Sequence, residues 1–166
     1  MIFLGLGANL PSERYGEPRD TLEASLGQIA RAGIEVTARS RWYRSAPLPA
    51  SDQPWFVNGV AALLTNLPPE ALLERLLDIE IAIGRRRSQV DAARVVDLDL
   101  LAYDDVVCRP PAAGAGLELP HPRLAERAFV LMPLAELAPH WRHPLNGRSV
   151  TEMIADLGPQ SIELLA

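Results

Sequence analysis

Residues 67–84, LPPEALLERLLDIEIAIG, fit one kind of secondary structure. Leu72, Leu73, Leu76, Ile79 and Ile83 form an apolar stripe at helical spacing, with proline at the start and glycine at the end. A second helix is expected from about Asp20 to Ala32, where Leu22, Leu26 and Ile29 recur at the same spacing and Gly33 stands where a C-cap belongs. The runs around these helices have the composition or period of strands: 2–6 (IFLGL), 34–45 (IEVTARSRWYRS), 55–65 (WFVNGVAALLT) and 94–103 (RVVDLDLLAY). The order strand, helix, strand, strand, helix, strand is that of a ferredoxin-like split βαβ fold. This is an α+β class, with a mostly antiparallel sheet and helices packed on one of its faces. Beyond it, RLAERAFVLMPLAELAP predicts one or two short helices and Val150–Leu157 another, an appended C-terminal helical part. APLPASDQP reads as a proline-rich loop and RRRSQVDAA as a mobile one. CRPPAAGAGLELPHP is irregular, with a short strand expected near Leu117–Leu119.

The strand at 94–103 carries two aspartates, Asp97 and Asp99, among its apolar residues. Residues two apart on a strand share a face, so both carboxylates point one way while Val96, Leu98 and Leu100 point the other. Adjacent like charges destabilise each other, which calls for a compensating positive charge. One reading is a magnesium site for a nucleotide's phosphates, since magnesium takes a few carboxylates together with phosphate oxygens and water. The other is a solvated strand face.

Where the positive charge is concentrated bears on that choice. All sixteen basic residues are arginines; the chain has no lysine. That excludes Schiff-base chemistry on a lysine and the lysine of a P-loop, but not phosphate binding, because the guanidinium fork grips phosphate in bidentate fashion. Arg85, Arg86 and Arg87 follow the long helix, Arg94 precedes Asp97 by three residues, and only Asp91 opposes them. These arginines suit either closure over a polyphosphate or the negative end of a helix dipole.

Two other stretches stand out. In LPHPRLAERAF, His121 is held between prolines, with Arg123 and Arg127 following at i,i+4 spacing. It could donate to phosphate or be a plain turn histidine. In QPWFVN, Phe56 and Asn58 share a strand face, and an aromatic plane beside a carboxamide suits a flat heterocycle as well as an ordinary core. Phe129 could form the opposite wall. HWRH (140–143) has metal-ligand spacing but lies between prolines, where no helix is expected, and LGLGAN lacks the third glycine of a dinucleotide fingerprint.

The remaining bounds are coarse. The 166 residues, 48% apolar, suit a single domain spanning 1–166. A net charge of −5 argues against a nucleic-acid partner, and no apolar run has the length of a membrane span. MIFLGLGANL lacks the basic start of a signal peptide, and the single Cys108 excludes an internal disulfide framework. A cytoplasmic monomer is expected.

LGLGANL, RSRWYRSAPL, QPWFVNGVAAL, IEIAIGRRR, RVVDLDLLAYDD and LPHPRLAERAFVLMPLAELAP occur in one order over nearly the whole chain. This combination resembles the 6-hydroxymethyl-7,8-dihydropterin pyrophosphokinases of folate biosynthesis. The resemblance implies transfer of pyrophosphate from ATP, as co-substrate, to the pterin's hydroxymethyl group, with release of AMP. It implies two magnesium ions on Asp97 and Asp99, and Arg85 and Arg94 stabilising the transferring group. Glu80, Arg87, His121 and Arg127 would serve the nucleotide. Phe56 and Phe129 would sandwich the pterin, Asn58 would bond its edge, and the backbone from Ser45 to Leu48 would complete its pocket. The chain departs from the family pattern at Ala8, where serine is usual, at Phe56, where tyrosine also occurs, and at DAAR, where a WGPR-like sequence is common. Two rival readings are a catalytically silent module of the same fold that binds nucleotide or a partner, and a nucleotidyltransferase that releases pyrophosphate.

Overall fold

A computed structural model describes residues 1–86, 91–110 and 116–166. In chain order the elements are β1 (Ile2–Ala8), α1 (Pro18–Arg31), β2 (Glu35–Arg39), β3 (Tyr43–Ser45), β4 (Phe56–Leu64), α2 (Pro69–Ile83) and β5 (Asp97–Tyr103). A single 3-10 turn (Leu124–Glu126), α3 (Ala128–Leu137), α4 (Val150–Ala155) and β6 (Ile162–Leu164) follow. The sheet order is β5-β1-β4-β3-β6, with β2 also pairing with β4, and every pairing is antiparallel. This is the α+β arrangement expected from the element order.

α2 starts and stops where the sequence signals it, and α1 begins at Pro18, two residues before its expected start. Prolines occupy the first turns of α1 and α2. Gly84 ends α2 at φ 119°, a conformation that costs glycine little. The buried stripe Leu72, Leu76, Ile79 and Ile83 faces the sheet. Alternation along the strands separates two cores. On one face Leu4, Leu6, Ala61, Leu63, Leu98 and Leu100 pack with α1 and α2. On the other, Phe3, Val60, Ala62 and Leu101 pack with α3 and α4. The helices therefore cover both faces, not one: the appended C-terminal part folds back over the second face.

The expected strand 34–45 is two strands. Arg39 pairs with Ala61 and Tyr43 with Asn58, so this segment uses one residue more than β4 over the same span, the count of a β-bulge. Ser40 stabilises the break by accepting the Val60 N–H on its hydroxyl at 3.0 Å and donating to its neighbour's carbonyl at 2.7 Å. The strand expected near Leu117–Leu119 reduces to a single bridge between Cys108 and Leu119. The HWRH segment is not helical. Among the described residues no helix is long and apolar enough to cross a membrane.

The bulge lays the Trp42 indole over Gly59, where an added Cβ would stand 2.7 Å from two ring carbons. The ring cannot easily retreat, because its N–H donates to Glu23 at 2.9 Å. Gly59→Ala is expected to destabilise the fold by about 1–3 kcal/mol, as overpacking does. Urea unfolding measures this, and an unchanged midpoint would show that the indole is not held there.

Candidate active site

Strand register builds the floor of a cleft of about 360 Å³. Asp97 on β5 lies opposite Gly7 on β1, which lies opposite Asn58 on β4; one step along, Asp99 lies opposite Gly5 and Gly5 opposite Val60. Directly paired residues share a face, so Asp97, Gly7 and Asn58 form one row across the sheet. The glycines keep the middle of the floor low: a Cβ at Gly7 would stand 3.1 Å from Asn58 Oδ1. The loop 46–49, Phe56, Arg94, His121, Arg127 and Phe129 complete the walls.

One end of the cleft is charged. Asp97 accepts Arg85 Nη1 at 2.9 Å and Arg94 Nη1 at 2.6 Å. Burial and the neighbouring Asp99 nevertheless hold its pKa above the ordinary carboxylate value. Arg127 approaches Asp99 at 3.6 Å, its pKa lowered by burial. Its Nε is buried without a hydrogen-bond partner among the described residues. Such an orphaned donor is costly unless an acceptor enters the cleft. His121 lines the same end. Its Nδ1 accepts the Arg123 N–H at 3.1 Å, which leaves Nε2 to carry the proton. Burial, reinforced by Arg127, pushes its pKa down to about 4, so the ring is neutral at pH 7.

The other end is largely apolar, and the Arg127 guanidinium borders it, 5.5 Å from the centre of the Phe129 ring. Phe56, Phe129 and Leu48 line it, with Asn58 on the floor. Asn58 is 4% exposed and donates through Nδ2 to Ser45 Oγ at 2.7 Å. Ser45 therefore stands behind the cleft wall and orients the carboxamide rather than lining the cavity.

Two further candidate residues lie beside the cleft wall rather than in it. Glu80 is not in the cleft. It projects from α2 beneath the edge of β5, 2% exposed, and accepts the Leu98 N–H at 2.6 Å and Arg85 Nη1 at 2.5 Å. Burial pushes its pKa up to about 7 against both donors. Arg85 lies folded between Glu80 and Asp97, beside the cleft; burial opposes its charge, but Asp97 and then Glu80 outweigh it and raise its pKa. Arg87 lies outside the described residues. Three residues went unnoticed or unassigned as site residues in the sequence. Asn9, 2% exposed, accepts the Arg94 N–H at 2.7 Å and donates to the Pro54 carbonyl at 3.0 Å. Asp91 and Arg123 line the cleft and pair across it at 3.3 Å. Asn9 gave no signal beyond being an asparagine in a turn. Arg123 was visible beside His121, but its partner lies 32 residues away.

His121 and Glu80 give opposite pH dependences in the metal-free protein. His121 binds its proton less tightly folded than unfolded, so its contribution is full above about pH 6.5 and is lost as pH falls towards 4. Glu80 binds its proton more tightly when folded, so stability declines from about pH 4.5 to 7 on its account. Each limb is on the order of 1–3 kcal/mol. With denaturant unfolding in chelator from pH 4 to 7, His121→Gln is expected to turn the stability slope more negative and Glu80→Gln more positive. Parallel profiles for wild type and His121→Gln would refute the depressed imidazole.

A family model described as 7,8-dihydro-6-hydroxymethylpterin-pyrophosphokinase matches residues 3–139. Proteins named 2-amino-4-hydroxy-6-hydroxymethyldihydropteridine pyrophosphokinase are similar over most of their length. That of Methylorubrum extorquens is 41% identical over 162 residues, 97% of this chain and 96% of its own. That of Pseudomonas aeruginosa is 41% identical over 165 residues, 99% of this chain and 96% of its own. That of Synechocystis sp. is 40% identical over 152 residues, 91% of this chain and 73% of its own. With residues 3–139 matched by the family model and the M. extorquens and P. aeruginosa proteins aligned nearly end to end, the chain belongs to the 7,8-dihydro-6-hydroxymethylpterin-pyrophosphokinase family.

Proposed function

We propose that the protein transfers the pyrophosphoryl group of ATP to the hydroxymethyl oxygen of 6-hydroxymethyl-7,8-dihydropterin, releasing AMP, as a step of folate biosynthesis. The observation that carries this reading is the two-ended cleft: a carboxylate–arginine end runs into an aromatic, carboxamide-floored end within one cavity. Such a cavity holds a polyphosphate and a flat heterocycle next to each other. In the reaction the hydroxymethyl oxygen bonds to the β-phosphorus, the bond between that phosphorus and the α,β-bridging oxygen breaks, and the hydroxyl proton is released. Transfer of this kind needs alignment and charge neutralisation more than a nucleophilic side chain.

The donor set fits magnesium. Among the described residues no group of three or more histidine, cysteine or acidic side chains is gathered, so a cage made wholly of protein is not on offer. Two carboxylates beside a phosphate site are what magnesium uses, with the remaining positions filled by phosphate oxygens and water. Asp97 and Asp99 would hold two ions, which when bound neutralise phosphate charge and polarise the phosphoryl oxygens. Arg85 and Arg94, now spent on Asp97, would then turn to the transferring group. Arg127, with its unpartnered Nε, and the Nε2–H of neutral His121 would contact the nucleotide, joined by Arg87. Glu80 would act indirectly, by holding Arg85 and the backbone between the two aspartates. Phe56 and Phe129 would sandwich the pterin and Leu48 close its pocket. Asn58, oriented by Ser45, would bond its edge. Residues 1–166 would act as one domain, a cytoplasmic monomer without a nucleic-acid or membrane partner.

Purified protein mixed with ATP, magnesium and the pterin is expected to produce AMP only when the pterin is present. ADP or free pyrophosphate as the product would identify a different transferase, and no turnover would favour a silent module. Asp97→Asn is expected to lower turnover at least about a hundredfold, since it removes charge worth several kcal/mol. Pterin binding should survive this change, and its loss in calorimetry without ATP would refute the division of the cleft into two ends.

A further inference from the structure

Three segments of the cleft rim meet at Asp91. Its carbonyl accepts Gln53 Nε2 at 2.7 Å, and its carboxylate accepts Arg123 Nη1 at 3.3 Å. Its φ is 58°, in the left-handed region that aspartate and asparagine tolerate better than most residues. Three residues on, the backbone of Arg94 is also fixed. Its N–H donates to Asn9 Oδ1 at 2.7 Å, and its carbonyl accepts the N–H groups of Asn9 at 2.9 Å and Leu10 at 3.0 Å. Asn9 donates in turn to Gln53 Oε1 at 3.2 Å. Asp91, Gln53, Asn9 and Arg94 thus close a ring around the segment 91–94, and Arg123 ties that ring to the loop carrying His121. The Arg94 guanidinium, at the end of this chain of contacts, rests on Asp97.

We propose that Asp91 and Arg123 form a clasp across the cleft that positions Arg94 for the transferring phosphoryl group. Neither residue touches the reacting atoms in this role; both are positioning residues. The proposal rests on the pyrophosphokinase reading and extends it to two residues outside the metal and substrate sets. Asp91 opens DAAR, the run that leads into β5, so the clasp holds the segment that carries Arg94. An ionic clasp also differs from an apolar one in its response to salt. The two side chains are 36% and 38% exposed, so added salt screens their attraction.

The test is a double-mutant cycle on AMP formation at saturating ATP, magnesium and pterin. Asp91→Asn preserves the backbone conformation and the carbonyl bonded to Gln53 while removing the charge; Arg123→Gln removes the other partner. Each is expected to lower kcat roughly two- to fivefold, the range that an exposed ion pair spans. The double variant should be no worse than either single one, with pterin KM and thermal midpoint unchanged. Wild-type kcat should fall with added salt, more steeply than that of Asp91→Asn. Undiminished kcat in Asp91→Asn, or losses that multiply in the double variant, would overturn the clasp while the activity stands. A wild-type protein that makes no AMP would overturn the functional reading itself, and the clasp with it.

Discussion

The register of β1 between β5 and β4 is the constraint on which the cleft depends. Because side chains alternate with a period of two, a slip of one residue would exchange the faces of a whole strand. On β5 it would turn Asp97 and Asp99 into the core against α1 and α2 and expose Leu98 and Leu100 at the cleft. Burying two carboxylates among leucines is far costlier than any local rearrangement, so the apolar residues on one face fix the charged residues on the other. The same register places Gly5 and Gly7 between the aspartates and β4, where a larger residue would crowd the floor.

Charge at and beside one end of the cleft is close to balance. Glu80, Asp97 and Asp99 are matched by Arg85, Arg94 and Arg127, with Arg85 shared between Glu80 and Asp97. Such a network is satisfied enough to fold, with each of its arginines paired to at least one carboxylate. The neutral His121 adds a donor without adding charge, which burial beside Arg127 would oppose.

What the sequence revealed follows from how far a signal reaches along the chain. The two long helices were legible because Leu72, Leu76, Ile79 and Ile83 repeat within one element, and Pro69 and Gly84 mark its ends. The aspartate pair was legible because Leu98 and Leu100 around it define a buried face. β6 was not, since three residues carry no period and its partner β3 lies more than a hundred residues upstream. The break between β2 and β3 depends on Trp42 finding Gly59 on another strand, which no local pattern reports. Glu80, expected to serve the nucleotide, is buried under the edge of β5 rather than above the sheet because of its position on α2, which the sequence does not report. Asn9, Asp91 and Arg123 act only through partners brought close by the fold.

The Ser45–Asn58 bond has a consequence for which polar edges Asn58 can meet. Ser45 takes up one of the two amide hydrogens of Asn58. What remains facing the cavity is one hydrogen and one carbonyl oxygen, fixed relative to each other. A carboxamide free to rotate could meet almost any polar edge; this one can satisfy both groups only against an edge that presents an acceptor beside a donor. A ring with two acceptors there would leave a lone pair facing a lone pair, and one with two donors a hydrogen facing a hydrogen, each at a cost comparable to a lost hydrogen bond. The hydroxyl behind the wall would thus select the tautomer of a heterocycle bound against Asn58.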